Sequence, residues 1–167
     1  YGLEEVAEYW HQVIKINNYQ KKRFANIIIE NLNNDLLNKK IAILGWAFKK
    51  DTNDSRESAS IYVAEMLLAK GAKLSIYDPG VSNERILLDL EERLKLQNKN
   101  KKEAKSFLNR VTIYGNIDQC CRNASAIAIL TEWDEFKDRK WETKQFSPPH
   151  LIVDGRMIVK KKQISKE

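Results

Sequence analysis

The sequence predicts an α/β domain, doubly wound around a mainly parallel sheet and preceded by one long helix. Three features carry that expectation. Apolar residues recur at three- and four-residue spacing from Leu3 to Ile28. The runs 41-IAIL-44 and 125-SAIAIL-130 are continuously apolar or small, as strands buried on both faces are. Strand-like and helix-like stretches then alternate to the end of the chain, the pattern of a parallel sheet with crossover helices.

The helix comes first. Leu3, Val6, Trp10, Val13, Ile14, Phe24, Ile27 and Ile28 form its stripe, and neither Pro nor Gly interrupts the chain between Gly2 and Gly45. Such a helix runs well past the roughly 8–20 residues usual in globular domains. Its stripe is longer than a domain of this size can cover, so an inter-domain or dimer helix is expected. After Lys39-Lys40 the strand 41-IAIL-44 ends at Gly45. A helix from about Glu57 to Lys70 follows, closed by Gly71 at its C-terminal cap. The strand 73-KLSIY-77 and the turn Asp78-Pro79-Gly80 complete a βαβ unit. A polar insertion occupies 91–110, and its segment 97-QNKNKKEAK-105 reads as a solvated loop. The rhythm then resumes with a strand at 111–113, a helix from about Asn116 to Cys121, the strand 125–130, a short helix near Trp133–Phe136 and a strand at 151–153. Ligands on such sheets bind beyond the carboxyl ends of the strands, which directs attention to 45–58, 78–81, 131–134 and 154–157.

The chain has 167 residues with a formal charge of +6, 43% hydrophobic and 9% aromatic. That suits one domain of ordinary size, at about 150 residues per domain. No apolar run approaches the roughly 20 residues that span a bilayer, and no signal-peptide pattern opens the chain. The adjacent pair Cys120 and Cys121 offers neither a disulfide framework nor metal-ligand spacing. A cytoplasmic protein is therefore expected, and the absence of an initiator Met at Tyr1 reads as a piece of something longer. Residues 91–110 and 156–167 carry a net +4 each, so the remainder is mildly acidic. Nucleic-acid binding would call for basic residues on a regular element with stacking aromatics, and the Asn/Lys-rich insertion lacks that pattern.

The first strand end, 45-GWAFKKDTNDSRES-58, carries the most chemistry. The surroundings are Rossmann-like, yet a dinucleotide turn needs G-x-G-x-x-G for close backbone approach to a pyrophosphate. Only Gly45 is present, and Trp46, Phe48 and Lys49 occupy the space. Asp78, at the next strand end, reads accordingly as a turn residue rather than a ribose contact. Lys49, Lys50 and Arg56 stand beside the amino end of the following helix, where anions bind well. That arrangement points to a phosphorylated ligand. Arg156, after Asp154-Gly155, is the second candidate, since a guanidinium can fork onto phosphate or sugar oxygens. Two plainer readings stand beside these: a salt bridge between Arg156 and a nearby acid, and a solvated Lys49. Asp54 and Glu57 are expected to favour the helix amino end or to orient Arg56. Cys120 and Cys121 read as small buried hydrophobes. His11 and His150, the latter after Pro148-Pro149, have no carboxylate at ligand or triad spacing. Trp133 and Thr131 read as packing residues, with covering a nucleobase and capping the short helix as the alternatives.

The runs LGWAFKKDTNDSRES (44–58), YDP (77–79), TEWDEF (131–136) and VDGR (153–156), in that order, resemble the carboxyl-terminal nucleotide-binding domain of the UDP-glucose 6-dehydrogenase family. YWHQVIKINNYQKKRF (9–24) resembles the end of that family's long central helix. The resemblance covers nearly the whole chain, and its motifs favour the UDP-glucose enzymes over the related GDP-mannose and UDP-N-acetylmannosamine dehydrogenases. It implies oxidation of UDP-glucose to UDP-glucuronate with two NAD, through a thiohemiacetal and a thioester on a cysteine. It further implies that Phe48 and Lys49 contact the UDP-sugar, that Arg156 binds it from the opposite strand end, and that Arg56 reaches across a domain cleft to NAD. The family's NAD fingerprint, catalytic cysteine and base-activating lysine and aspartate have no counterpart here, so no catalytic residue is expected in this chain and it should not turn over by itself. No metal is implied, and the intact enzyme is expected to be a homo-oligomer assembled through the long helix. Departures from the family pattern are Trp46 for Phe, Asn53 for Gly, Met157 where some members carry a second Arg, and the longer 91–110 insertion.

The division expected on this basis is 1–38 as the end of a dimerisation helix and 39–167 as a UDP-sugar-binding domain, with 158–167 a basic tail. Alternatives are a related UDP- or GDP-sugar dehydrogenase, a non-catalytic nucleotide-binding module, and a structural or nucleic-acid-binding domain using the Lys-rich segments.

Overall fold

The computed structural model describes residues 2–97, 101–142, 151–160 and 164–165. Its first element, α1 (Glu4–Asn31), is 28 residues long, about 42 Å at 1.5 Å per residue. Its last turns meet the rest of the molecule: Ala25, Ile28 and Ile29 are buried there, Phe24 packs against the core and Lys21 reaches Glu57. Nearer its start Leu3, Val6, Tyr9, Trp10, Ile14, Ile16 and Tyr19 are all exposed.

The remaining elements are β1 (Lys40–Leu44), α2 (Ala59–Ala69), β2 (Lys73–Tyr77), α3 (Asn83–Leu96), α4 (Lys101–Leu108), β3 (Val111–Ile113), α5 (Ile117–Cys121), β4 (Ala126–Ile129), α6 (Asp134–Lys137), β5 (Trp141–Glu142), β6 (Leu151–Asp154) and β7 (Ile164–Ser165). Five strands form one sheet in the order β3-β2-β1-β4-β6, and every pairing is parallel. The expected doubly wound, Rossmann-like sheet is therefore present. The chain winds outward from β1 through β2 to β3 and then returns to the other side of β1 with β4. The order reverses between β1 and β4, which is where ligands sit on open α/β sheets.

Alternation along β1 builds both halves of the core. Ile41 and Ile43 face a cluster that contains Ile28 and Ile29 of α1, Leu67 and Leu68 of α2, and Ile86 and Leu90 of α3. Ala42 and Leu44 face the opposite cluster, with Cys120, Cys121, Phe136 and Trp141. α2 starts at Ala59, two residues later than expected. Ser58 caps it by accepting from the Ser60 amide, while Glu57 has a φ of 56° and stands outside any helix. Gly71 follows the cap residue Lys70 with a φ of 90°, the left-handed exit that glycine tolerates.

The solvated-loop reading of 97–105 is corrected. α3 continues to Leu96, and α4 covers Lys101–Leu108. Leu94 and Ala104 are buried, and Phe107 and Leu108 pack partly against the main cluster. Lysine-rich composition masked an apolar i, i+3, i+4 set at Ala104, Phe107 and Leu108. The two-stranded pair β5–β7 was not anticipated either: Trp141 pairs with Ile164 across it, and β7 lies within 158–167, the stretch expected to be only a basic tail. Among the described residues no helix is long and apolar enough to cross a membrane.

Candidate functional site

The loops that leave β1, β2 and β4 are tied together by one buried carboxylate. Asp78, just past β2, accepts at Oδ2 from the Trp46 amide (2.5 Å), the Ala47 amide (2.9 Å) and the Trp133 indole (3.1 Å). Its Oδ1 accepts from the amides of Gly80 (2.8 Å) and Val81 (2.9 Å). Asp78 is thus a turn residue, as read from the sequence, and holds neighbouring loops as well. Trp133 packs by the same contact. Thr131 does not cap α6, whose cap residue is Trp133 with no side-chain bond. Its hydroxyl instead donates 2.7 Å to the Ala47 carbonyl. The β1 and β4 ends are close enough here that a Cβ on Gly45 would stand 2.4 Å from the Thr131 Cβ, and Gly45 has a φ of 94°.

These bonds settle whether the first turn can cradle a dinucleotide. The amides of Trp46 and Ala47, the first that a pyrophosphate would need, both donate to Asp78. A bulky indole, fully buried, fills the adjoining space. The turn does not fit a dinucleotide, and no step is built on one held there.

Beyond it the chain turns out to the rim. The Phe48 amide donates to the Asp54 carbonyl at 2.7 Å, closing the 48–54 loop and leaving the Phe48 ring 55% exposed. From the far side of β4, the Arg156 guanidinium arrives at the same place. Its Nε donates to the Leu130 carbonyl (2.8 Å) and its Nη2 to the Phe48 carbonyl (3.2 Å), the oxygen of the peptide bond that joins Phe48 to Lys49. The turn that aims it is made by Asp154, whose Oδ1 accepts from the Arg156 amide and whose Oδ2 accepts from the Val159 amide, each at 2.8 Å.

The four candidate cations differ in what they have left to offer. Lys50 pairs with Asp134 at 3.0 Å, and that hydrogen bond raises its pKa. Arg56 forks onto Asp54 through Nε (3.0 Å) and Nη2 (2.8 Å). Hydrogen bonds from the Arg56 side chain and amide hold the Asp54 carboxyl down at about 2, so Asp54 orients Arg56, one of the two roles expected of it. Glu57 instead accepts from the Tyr62 hydroxyl and pairs with Lys21 of α1 at 3.6 Å. Lys49 is exposed and has no ion-pair partner among the described residues. Arg156 has the acid foreseen beside it: Glu132 Oε2 lies 3.1 Å from Nε. Phe48, Lys49 and Arg156 therefore share one rim. Arg56 does not join them; it lines a cavity of about 680 Å³ formed by the 52–56 loop with Gly80, Ser82 and Arg85.

Sequence reasoning missed Glu132 and Arg85 as neighbours of these sites. Position after β4 was a usable signal for Glu132, whereas Arg85 comes from within α3 and only packing brings it to Ser55. Cys120 and Cys121 are buried free thiols, and a hydrogen bond with Cys120 together with burial pushes the Cys121 thiol up. Cys121 therefore supplies no thiolate near neutral pH. His11 is exposed on α1, and His150 lies outside the described residues. Among the described residues no group of His, Cys, Asp or Glu could hold a metal ion.

Residues 42–161 match the family model described as "UDP-glucose/GDP-mannose dehydrogenase family, UDP binding domain". The chain is 47% identical over 160 residues to the UDP-glucose 6-dehydrogenase of Gallus gallus, an alignment that covers 95% of this chain and 31% of that protein. It is 44% identical over 167 residues to UDP-glucose 6-dehydrogenase 4 of Arabidopsis thaliana, covering 95% and 34% respectively. The chain thus spans about a third of the length of these curated relatives. Among solved structures, a UDP-glucose dehydrogenase from Pyrobaculum islandicum superposes with a TM-score of 0.63 at 23% identity, over 92% of this chain and 30% of that one. That likeness shows the fold.

Proposed function

The chain belongs to the UDP-glucose/GDP-mannose dehydrogenase family as its UDP-binding domain, and from that premise we propose that it holds the UDP-sugar of an enzyme that oxidises UDP-glucose to UDP-glucuronate with two NAD. Lys49 and Arg156 grip phosphate or sugar oxygens at the rim beyond β1 and β6, and Phe48 covers the ligand beside them. Arg56 reaches toward NAD, which the remainder of the enzyme holds. Residues 1–38 form the end of a dimerisation helix and 39–167 the UDP-sugar-binding domain. The enzyme is a cytoplasmic homo-oligomer, and the exposed apolar stripe of α1 supports its assembly.

The observation that carries this reading is the contact between the Arg156 guanidinium and the Phe48–Lys49 peptide carbonyl. It joins an arginine and a lysine that are 107 positions apart in the chain. The role that follows is positional. Binding energy at the diphosphate, remote from the reacting carbon, fixes the sugar against catalytic groups held elsewhere and so contributes to the rate as well as to affinity.

Calorimetry of this chain with UDP, UDP-glucose and NAD tests the proposal. Weak binding of UDP and UDP-glucose and none of NAD is the expected result. Binding of NAD without UDP would reverse the assignment, and a salt-dependent shift with DNA but no response to UDP would favour the nucleic-acid reading.

A further inference from the structure

Arg156 is held along one edge and open along the other. Its single Nε hydrogen points to the Leu130 carbonyl at 2.8 Å, and one Nη2 hydrogen points to the Phe48 carbonyl at 3.2 Å. The Nη1 hydrogens and the outer Nη2 hydrogen have no acceptor among the described residues. This is the end-on edge through which a guanidinium binds two oxygens of a phosphate at once.

Glu132 lies against the closed edge. Its Oε2 is 3.1 Å from Nε, yet that oxygen is buried and receives no hydrogen bond among the described residues, because the Nε hydrogen is directed at Leu130. Leaving a buried carboxylate oxygen without a donor is unfavourable, so its presence calls for a reason. Its remaining effect on the guanidinium is through charge, and it draws the closed edge toward the β4 end.

We infer that Glu132 is the positioning residue for Arg156: its carboxylate holds the Nε edge of the guanidinium against the end of β4, so that the Nη1–Nη2 edge faces the diphosphate. The inference rests on the proposed role of Arg156 in binding UDP-glucose. Glu132 touches no reacting atom and does no chemistry. It restricts the guanidinium to the one orientation in which both end-on nitrogens bind.

An opposite outcome is physically available, which makes the test sharp. If Glu132 only diluted positive charge at the rim, removing its charge would tighten UDP binding. If it positions Arg156, the same change weakens binding.

In the full-length enzyme, Glu132→Gln, Glu132→Asp, Arg156→Ala and the double variant Glu132→Gln/Arg156→Ala are compared by UDP affinity, by KM and kcat for UDP-glucose, and by Tm. Glu132→Gln is expected to weaken UDP binding about tenfold, within the range that misplacing a binding group produces, with Glu132→Asp recovering part of the loss. The Gln substitution should have no further effect in the Arg156→Ala background. Tighter UDP binding by Glu132→Gln, or an equal loss with and without Arg156, overturns the inference. So does a loss that only follows a fall in Tm. If Arg156→Ala alone binds UDP normally, the site assignment itself fails and this inference with it, a result separable from a failure of Glu132 alone.

Discussion

The Trp133 indole donates to Asp78 at 3.1 Å, linking the loop after β4 to the turn after β2. Asp78 also accepts from four backbone amides, those of Trp46, Ala47, Gly80 and Val81. In Asp78→Asn only one of the two side-chain positions can still accept, and the amide NH2 must face N–H groups on the other. The variant should lose about 3 kcal/mol in denaturant unfolding, as breaking a buried hydrogen-bonded network does. A change below about 1 kcal/mol would mean that the carboxylate does not organise these loops.

Lys49 and Arg156 keep donors free at the shared rim, whereas Lys50 and Arg56 are neutralised by Asp134 and Asp54. Lys49→Ala and Arg156→Ala in the full-length enzyme should each lower kcat/KM for UDP-glucose at least about tenfold, equivalent to roughly 1.4 kcal/mol of transition-state stabilisation. Lys50→Ala removes a charge from the same loop but one already paired, and should change kcat/KM by less than about threefold. Steady-state kinetics decides, and unchanged values for both Lys49 and Arg156 would remove the site assignment.

The sheet was legible because strands buried on both faces read as unbroken apolar runs, and the β1 and β4 runs were found on that basis. Long-range contacts were legible only by type. An acid beside Arg156 could be foreseen; that it would be Glu132, and that its oxygen would lack a donor, depends on where the Nε hydrogen points. Asp78 looked like a turn residue because two of the amides that donate to it, those of Gly80 and Val81, are close in sequence, while its bonds from Trp46, Ala47 and Trp133 cross between loops. Thr131 packs as read, buried at the end of β4, and only the alternative of a cap fails. A threonine ahead of a short helix suggests a cap, but the closeness of β1 and β4 gives its hydroxyl a carbonyl in the neighbouring strand-end loop. In α4 the error was compositional, since lysines on the solvent side of an amphipathic helix look like a solvated tract.

The Arg56–Asp54 pair sets a pH window for the loop. Asp54 titrates at about 2, below its ordinary carboxylate range, because Arg56 donates to it from the side chain and the amide. A carboxyl depressed in the fold keeps its pair above the unfolded value near 3.9 and loses it as pH falls through about 2. Arg56 is therefore paired at every pH at which the enzyme would work. A carboxyl-carbon NMR titration should place Asp54 near 2, and in Arg56→Gln it should return toward about 3.9. A midpoint near the ordinary value in the unmodified chain would show that the fork does not persist in solution.

Two of the six tyrosines should resist alkali. Burial, followed by hydrogen bonding to Glu57, raises the Tyr62 phenol to about 12. Burial and the bond to Glu135 do the same for Tyr77. The Lys21 ammonium lies 3.5 Å from the centre of the Tyr62 ring and the Arg93 guanidinium 4.3 Å, so α1, α2 and α3 all meet at that phenol. A pKa raised in the fold means that the contribution to stability is complete below the unfolded value near 10 and declines as pH climbs through about 12. Tyrosinate absorbance should therefore include a later stage near pH 12. Tyr62→Phe and Tyr77→Phe should each remove half of that later stage. A single rise with every phenol near 10 would show that neither the α1–α2 clasp through Glu57 nor the Tyr77–Glu135 contact holds in solution.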